Sequence, residues 1–153
     1  MNPIFAAALE VEQICRAEGF RFCFIGGLAV QRWGQPRMTA DVDLTIMTGF
    51  GGEEPYVDAL LSKLRGRISD ARAFALRHRT LLLVTSQGIH ADIALGAMPF
   101  EEHSVTRASA FSISETDTVT TCSAEDLLVH KAFAGRDKDW LDIRGIIVRQ
   151  GAR

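Results

Sequence analysis

The stretch FIGGLAVQRWGQPRMTADVDLTI, residues 24–46, decides the fold, because it joins two apolar strands through a glycine pair and a short helix. The first strand is FRFCFI at 20–25, and Gly26 and Gly27 separate it from the helical stretch LAVQRW. The second strand is DVDLTIM at 41–47. Glycines in such a turn let a ligand approach the backbone, and the N–H groups at a helix start bind phosphate. The pair therefore predicts a phosphate-binding turn, although by itself it also fits an ordinary strand-to-helix turn.

Two aspartates, Asp41 and Asp43, open the second strand and share one of its faces, since side chains alternate along a strand. Their Cβ atoms are expected about 6–7 Å apart, where two carboxylates repel each other unless a cation lies between them. Mg²⁺ needs only one or two protein carboxylates and takes its other oxygens from water and substrate phosphates. The pair predicts a site for Mg²⁺ or Mn²⁺, although paired aspartates at a strand end also occur without a metal.

A third carboxylate, Asp92, lies within the apolar segment IHADIAL at 89–95, which is expected to pair with TLLLVTS at 80–86 as an antiparallel hairpin. A carboxylate among apolar neighbours is unfavourable unless it is partnered or bound to a metal. We therefore predict that Asp92 lies beside the first two aspartates; the alternative is a solvent-facing position on the outer side of the hairpin. His90 shares its strand face and is interpreted as a neighbour, because Mg²⁺ prefers oxygen ligands to imidazole.

The remaining pattern predicts helices packed on a mixed sheet of about four to five strands, an α+β (mixed α/β) fold. Ser123 begins an S-x-x-D sequence of the kind that caps a helix start. The other predicted elements are helices over about 3–18 and 55–65, a further strand at SAFSI, 109–113, and a C-terminal helical segment over about 124–150 that is bent near Gly135.

At 153 residues the chain is expected to form one domain over 1–153, with the C-terminal helices as a small substrate- or nucleotide-binding appendage. A net charge of −2 gives no global attraction to nucleic acid. The arginine-rich stretch 63–79 is interpreted either as a local basic patch or as a solvated face. Three widely spaced cysteines favour neither a zinc site nor a disulfide framework, and no apolar run reaches the roughly 20 residues of a membrane span. We therefore expect a cytoplasmic protein without a signal peptide or a membrane partner.

Together, the Gly-Gly pair, thirteen intervening residues, Asp-x-Asp and the later apolar-Asp-apolar strand resemble the nucleotidyltransferase superfamily related to DNA polymerase β. FIGGLAVQRW, RMTADVDLTI and IHADIAL carry this resemblance. MPFEEHSVTRA and SAEDLLVHKAFAGRDKDWLDI also look like the small AbiEii-type nucleotidyltransferases, which include toxins of type IV toxin–antitoxin and abortive-infection systems. The likeness spans residues 20–145 and is weak between 48 and 79.

The resemblance implies transfer of a nucleoside monophosphate from an NTP, with pyrophosphate leaving. Asp41 and Asp43 would hold the Mg²⁺ or Mn²⁺ that bridges the triphosphate. Asp92 would complete a second metal site or take the proton of the attacking hydroxyl. Gly26 and Gly27 would contact the β- and γ-phosphates through their backbone.

Other residues are candidates for nucleotide binding. Many relatives place Ser or Thr at or just after the second glycine, whereas Leu28 follows here and leaves that task to backbone amides. Lys131 is a predicted phosphate contact in an otherwise apolar helix; extension to solvent is the alternative. Arg37 is expected either to touch phosphate or to brace the loop before the Asp-x-Asp strand.

The last predicted helix carries four charged residues at helical spacings, namely Arg136, Lys138, Asp139 and Asp142. We interpret them as ion pairs that position the helix, including a pair between Lys138 and Asp142 at i and i+4. Contact of Arg136 or Lys138 with the substrate is the alternative. Packing roles are expected for Trp33 and Trp140.

The resemblance to AbiEii-type proteins favours tRNA or protein as the acceptor over an antibiotic, and it implies an antitoxin protein as a partner. The alternatives are an antibiotic nucleotidyltransferase of the aminoglycoside type, a non-catalytic nucleotide-binding module of the same fold, and a metal-dependent phosphohydrolase.

Overall fold

A seven-stranded mixed sheet forms the centre of the computed structural model, which describes residues 1–151. In chain order the elements are α1 (Pro3–Ala17), β1 (Phe22–Ile25), α2 (Gly26–Trp33), β2 (Asp41–Met47), α3 (Glu53–Leu61), β3 (Arg65–Gly66), α4 (Ala71–His78), β4 (Thr80–Val84), β5 (His90–Gly96), α5 (Pro99–Thr106), β6 (Ser109–Ser112), β7 (Thr118–Thr121), α6 (Ala124–Ala134) and α7 (Asp137–Gln150). Across the sheet the strand order is β3-β4-β5-β2-β1-β7-β6.

The centre of the sheet is built from the segments that the sequence marks most clearly. β1 and β2 are antiparallel neighbours, and β4 and β5 form the predicted hairpin. β2 and β5 run parallel over their whole length, with Asp41 opposite His90 and Asp43 opposite Asp92. This pairing sets all four side chains on one face of the sheet, because alternate residues of a strand point to the same side.

The two faces of the sheet differ in what covers them. Val42, Leu44 and Ile46 of β2 are fully buried in the larger apolar cluster, together with residues of α1, α3 and α4. Helices α2, α5, α6 and α7 lie on the other face. There Cys23 of β1 and Leu127 of α6 form a smaller apolar cluster with residues of α2 and α7. The aspartates of β2 belong to this second face, which is therefore the face that can hold a ligand.

Helix boundaries follow the expected capping chemistry. Ser123 caps α6, accepting a hydrogen bond from the Asp126 amide at 3.1 Å, as the S-x-x-D sequence predicts. Gly135 ends α6 in the left-handed conformation, with φ of +64°, which separates α6 from α7 at the predicted bend. α3 begins at Glu53 and ends at Leu61, whereas a helix over 55–65 was expected. Acidic residues in its first turn favour this earlier start through the helix dipole.

The mixed α/β architecture is confirmed, but the sheet has seven strands where four to five were expected. Four elements were not predicted, and each lacks a strong periodic signal. β3 has two residues, β7 is the polar sequence TVTT, and α4 buries only the small side chains of Ala71 and Ala75. α5 buries only Ser104.

Across residues 1–151, no helix combines the length and the apolar composition that a bilayer crossing requires.

Candidate functional site

The glycine pair forms the first turn of α2, directly after β1. Gly26 has φ of +62°, and a Cβ on it would collide with the carboxylate of Asp43. A Cβ on Gly27 would lie 2.5 Å from Oγ1 of Thr39. Only glycine therefore allows this turn to lie so close to β2 and to the loop before it. No side chain caps the start of α2, so its first N–H groups are available to an anion.

Three carboxylates lie on the same patch of the sheet. Asp43 is at the level of Asp92 on the adjacent parallel strand, and Asp41 is two residues before Asp43 on the same face. Burial raises the pKa of Asp43 to about 6, with further contributions from the charges of Asp92 and Asp41. Such a crowded group of hard oxygen ligands fits Mg²⁺ or Mn²⁺, which would offset the repulsion.

Asp92 also has a protein partner. Nη1 of Arg67 donates to Oδ1 of Asp92 at 2.6 Å, and both side chains are partly buried. Across the described part of the chain, no group of three or more His, Cys, Asp or Glu side chains is arranged to hold a metal ion. The contact with Arg67 gives a physical reason for this absence, because it directs the carboxylate of Asp92 toward a guanidinium. Two carboxylates are still sufficient for Mg²⁺ when phosphates supply further ligands.

His90, the other polar residue of this patch, lies opposite Asp41, with 3.9 Å between its Nδ1 and Oδ1 of the aspartate. This distance exceeds that of a hydrogen bond and places His90 beside the carboxylates as a neighbour.

A network of buried ion pairs joins the C-terminal helices to the loop before β2. Lys131 is only 4% exposed, and its Nζ lies 2.8 Å from Oδ2 of Asp142 and 3.2 Å from Oδ1 of Asp139. Arg37 holds Asp142 through two hydrogen bonds of 2.9 and 3.0 Å. Nε of Arg136 donates to Asp139 at 2.7 Å. Lys131 therefore does not extend into solvent, and Arg37 braces its loop against α7.

The predicted pair between Lys138 and Asp142 is wrong. Asp142 is buried toward Lys131 and Arg37, because a buried carboxylate requires cations that are close to it and shielded from water. Lys138 is exposed and lies on the wall of a cleft instead. Only the partners were mistaken, since these charges do form ion pairs that position α7.

The two tryptophans differ in their surroundings. Trp33 donates from Nε1 to the carbonyl of Cys122 at 2.8 Å and packs against the smaller apolar cluster, as expected. Trp140 is 54% exposed on α7, so the packing role expected for it is wrong. Asp139 and Asp142 of α7 face the protein, and Trp140 falls on the outer side of the helix.

One cleft of about 640 Å³ contains both the carboxylates and the basic side chains, and this volume is within the usual range of ligand sites. The acidic residues lie on the sheet and the cations lie on the α6–α7 side, an arrangement that suits a polyanion bridged by a metal ion. Every residue that the sequence predicts for the site contributes to the lining. These residues are Gly26, Gly27, Arg37, Asp41, Asp43, Asp92 and Lys131, with Arg136, Lys138 and Asp139 beside them.

Several residues at or next to the cleft were not found from the sequence. Arg67, which pairs with Asp92, lies 25 positions before it, and nothing in the spacing of the arginine-rich stretch identifies it. The cleft is also lined by Thr45, Phe100, Glu101 and His130; the last three lie in segments that carry the family resemblance but indicate no role for these residues. Thr45 lies on the same strand face as Asp41 and Asp43, and this alternation is the one signal that could have indicated it.

The arginine-rich stretch is largely engaged with acidic residues. Arg72 pairs with Asp58 at 2.7 Å and with Glu54 at 3.4 Å, and Arg79 pairs with Glu53 at 2.8 Å. These contacts connect α4 and its C-terminal cap residue Arg79 to α3, so this part of the stretch is an ion-paired face.

Comparison with known proteins gives a family and a fold. The family model described as "Nucleotidyl transferase AbiEii toxin, Type IV TA system" matches residues 14–148. A search of curated proteins finds no match.

Three solved structures share the fold. An antigenic nucleotidyltransferase-like protein from Paracoccidioides brasiliensis has a TM-score of 0.59 and 20% identity, over 94% of this chain and 73% of that one. The lincosamide antibiotic adenylyltransferase LnuA, bound to lincomycin, has a TM-score of 0.54 and 13% identity, over 92% of this chain and 94% of LnuA. The antibiotic-resistance factor ANT(2'')-Ia has a TM-score of 0.57 and 15% identity, over 97% of this chain and 83% of that protein. These identities establish a common fold.

Proposed function

The chain belongs to the AbiEii family of nucleotidyl transferases, and we propose that it transfers a nucleoside monophosphate from an NTP to an acceptor hydroxyl in a reaction that requires Mg²⁺ or Mn²⁺. The observation that carries this proposal is the pairing of Asp43 with Asp92 on adjacent parallel strands, next to the glycine turn of α2. Three carboxylates so close together repel one another, and a bound cation would offset that repulsion beyond what Arg67 does for Asp92.

The side chains of the cleft have distinct proposed roles. Asp41 and Asp43 would hold the metal ion, which when bound stabilises charge on the attacking and departing oxygens. The amides of Gly26 and Gly27 would donate to the β- and γ-phosphates. Asp92 would accept the proton of the acceptor hydroxyl as that oxygen bonds to the α-phosphorus and the bond to the β-phosphate oxygen breaks. Pyrophosphate leaves with the bonding electrons.

The basic network on the other side of the cleft would support triphosphate binding. Lys131 and Arg136 share Asp139, and Arg37 pairs with Asp142, so the cations are held in fixed positions. Preorganised donors of this kind stabilise phosphate charge without reorganising during the reaction. They would compensate for the absence of a hydroxyl at Leu28, the residue after the glycine pair.

We favour tRNA or protein as the acceptor, and the toxin of a type IV toxin–antitoxin pair as the biological role with an antitoxin protein as partner. The family description supports this choice, because it names a toxin of such a system. LnuA and ANT(2'')-Ia act on antibiotics, as their names indicate, but they share only the fold with this chain. Antibiotic modification is therefore the second candidate.

The test is a labelling experiment with each of the four α-³²P-labelled NTPs, Mg²⁺ and either tRNA or cell lysate. We expect labelled tRNA or protein together with free pyrophosphate. Asp43→Asn should reduce labelling at least about 100-fold, since it removes a carboxylate from the reacting centre. Asp117→Asn is the matched control, because Asp117 is a partly exposed aspartate in the turn between β6 and β7 and does not line the cleft.

Three results would contradict the proposal. Undiminished labelling by the Asp43→Asn protein would remove the site from the reaction. Release of nucleotide products without a labelled acceptor would indicate a phosphohydrolase. NTP binding with no turnover on any acceptor would indicate a nucleotide-binding module. Label on a lincosamide or an aminoglycoside, and not on a macromolecule, would select the antibiotic alternative.

A further inference from the structure

Thr45 has an unusual position on the floor of the cleft. It lies on β2 two residues beyond Asp43 and on the same face, and it is fully buried. Its hydroxyl has no hydrogen-bond partner within residues 1–151, and no other buried side-chain polar atom there is left without one. Buried hydroxyls are normally paired, because an unpaired one is unfavourable. A polar atom of a bound ligand is the partner that would satisfy Thr45.

A fixed carboxylate borders the same part of the cleft as the methyl group of Thr45. A Cβ on Gly96 would be 2.9 Å from Cγ2 of Thr45 and 3.2 Å from Oε2 of Glu101, so both groups border the same small space. Oε1 of Glu101 accepts the amides of Ala97 and Met98 at 3.1 and 3.0 Å, which immobilises the carboxylate at the start of α5. Its Oε2 remains an acceptor beside Thr45.

Aromatic rings form the wall above these groups. Phe100 lies 5.3 Å from the His130 ring and 5.4 Å from the Phe133 ring, measured between centroids. Phe133 is 80% exposed although it lines the cleft, so its flat face is free to stack on a planar ligand.

His130 offers a second acceptor. Nε2 of His130 lies 2.7 Å from the hydroxyl of Ser104, which also lies 2.9 Å from the carbonyl of Phe100. Burial lowers the pKa of His130 and so favours the neutral ring. In the neutral tautomer that donates from Nε2 to Ser104, Nδ1 is a hydrogen-bond acceptor.

We propose that Thr45, Phe100, Glu101, His130 and Phe133 form a nucleobase subsite that prefers a base with an amino group on its hydrogen-bonding edge. Aromatic rings stack on any base, whereas the acceptors of Glu101 and His130 require N–H donors from the ligand. Adenine, cytosine and guanine carry an exocyclic amino group. Uracil carries none; its one N–H on that edge, at N3, lies between two carbonyl oxygens that would repel the carboxylate.

The position along the strand agrees with this assignment, which presupposes the proposed nucleotidyl transfer. Two residues of β-strand place Thr45 about 7 Å from Asp43. A ribose joins the α-phosphate at the carboxylates to a base at the far end of the same cleft.

The test measures equilibrium binding of the α,β-methylene analogues of the four NTPs, which cannot release pyrophosphate, with inorganic tripolyphosphate as a reference. We expect the ATP, CTP and GTP analogues to bind more tightly than the UTP analogue.

Phe133→Ala should weaken their binding about 5- to 100-fold through lost stacking. Thr45→Val should weaken it about 2- to 10-fold and, because it removes an unpaired hydroxyl, raise Tm by about 2–4 °C. Neither change should affect tripolyphosphate.

Thr85→Val is the matched control, because Thr85 is also buried but its hydroxyl donates to the Ile89 carbonyl at 3.1 Å, remote from the cleft lining. It should lower Tm and leave nucleotide binding unchanged. Equal affinity for all four analogues, or unchanged binding by both Thr45→Val and Phe133→Ala, would overturn the subsite. Loss of acceptor binding with unchanged analogue binding would also overturn it. Because the binding assay needs no turnover, these results can contradict the subsite while nucleotidyl transfer itself is intact.

Discussion

Asp43 shows how one residue can be unfavourable for folding and useful for binding. Its carboxylate is crowded by the glycine turn on one side and by Asp92 on the other. Burial and the neighbouring charges raise its pKa from 3.8 to about 6. The folded protein therefore binds this proton more tightly than the unfolded chain does, and the ionised form lowers the free energy of unfolding.

This pKa shift predicts a pH-dependent effect of Asp43→Asn on stability without divalent cations. Below pH 4 the aspartate is protonated in both states, so the substitution should change little. Stability of the parent protein should fall between pH 4 and pH 6, because only the folded state still holds the proton there. Above pH 6 the variant should be more stable by on the order of 2 kcal/mol, or about 4–8 °C in Tm.

Thermal melts at pH 4 and pH 7.5 check this prediction, with Asp117→Asn, at a partly exposed turn residue, as the control. Mg²⁺ at pH 7.5 should stabilise the parent protein and have less effect on Asp43→Asn. A variant that is less stable than the parent at pH 7.5 would show that the buried carboxylate has a partner in the protein.

The ion pair with Arg67 would oppose the binding of a second metal ion by the carboxylate of Asp92, the alternative to its role as proton acceptor. The ion pair of 2.6 Å is only partly buried, so its energy is modest. Arg67→Gln should therefore strengthen Mn²⁺ binding in the absence of nucleotide about 2- to 5-fold, measured by electron paramagnetic resonance or calorimetry. Arg67→Lys, which keeps the positive charge, should have a smaller effect. Weaker Mn²⁺ binding by Arg67→Gln would mean that Arg67 positions Asp92 for the metal and does not compete with it.

Among the elements, α6 and α7 are joined by charge in addition to apolar contact. Lys131 of α6 lies between Asp139 and Asp142 of α7, and Arg37 extends the network to the loop before β2. These carboxylates depend on their cations, since ionised groups shielded from water are unfavourable without opposite charge. The network therefore fixes the wall of the cleft relative to the sheet.

Lys131→Met should be strongly destabilising, because it leaves two buried carboxylates without their shared cation. We expect a loss of about 3–5 kcal/mol in the free energy of unfolding, measured by urea denaturation. Lys138→Met, on the exposed side of the cleft wall, should change stability by less than about 0.5 kcal/mol. A small effect of Lys131→Met would show that the network contributes to ligand binding and little to folding.

The sequence allows prediction of those elements whose signals are local. The glycine pair, the alternation in β2 and the hairpin of β4 and β5 each lie within a few neighbouring residues, and all three are present in the structure. α4 and α5 were missed because their buried faces consist of alanine and serine.

The ion-pair partners of the site could not be predicted in the same way. Arg37 and Asp142 are 105 positions apart, and their contact depends on how α7 packs against the loop before β2. The pairing of Arg67 with Asp92 depends likewise on where β3 joins the sheet. Such contacts follow from the packing of whole elements, which no spacing rule describes.

At the scale of the whole molecule, the sheet separates two tasks. One face buries a large apolar cluster against α1, α3 and α4, which provides stability without any ligand. The other face holds the crowded carboxylates, the unpaired hydroxyl of Thr45 and the ion-pair network. The crowded carboxylates and the unpaired hydroxyl, which lower stability when no ligand is bound, thus lie together in one cleft.

The parallel alignment of β2 with β5 limits how this chain can vary in length. A register shift of one residue in either strand would point its aspartates toward the apolar cluster and its aliphatic side chains toward the cleft. Insertions or deletions inside either strand should therefore abolish both folding and catalysis. Extra residues at the exposed tip near Gly88, which a Cβ would not crowd, should be accommodated. Natural and engineered length changes are accordingly expected in the turns of this protein and not within β2 or β5.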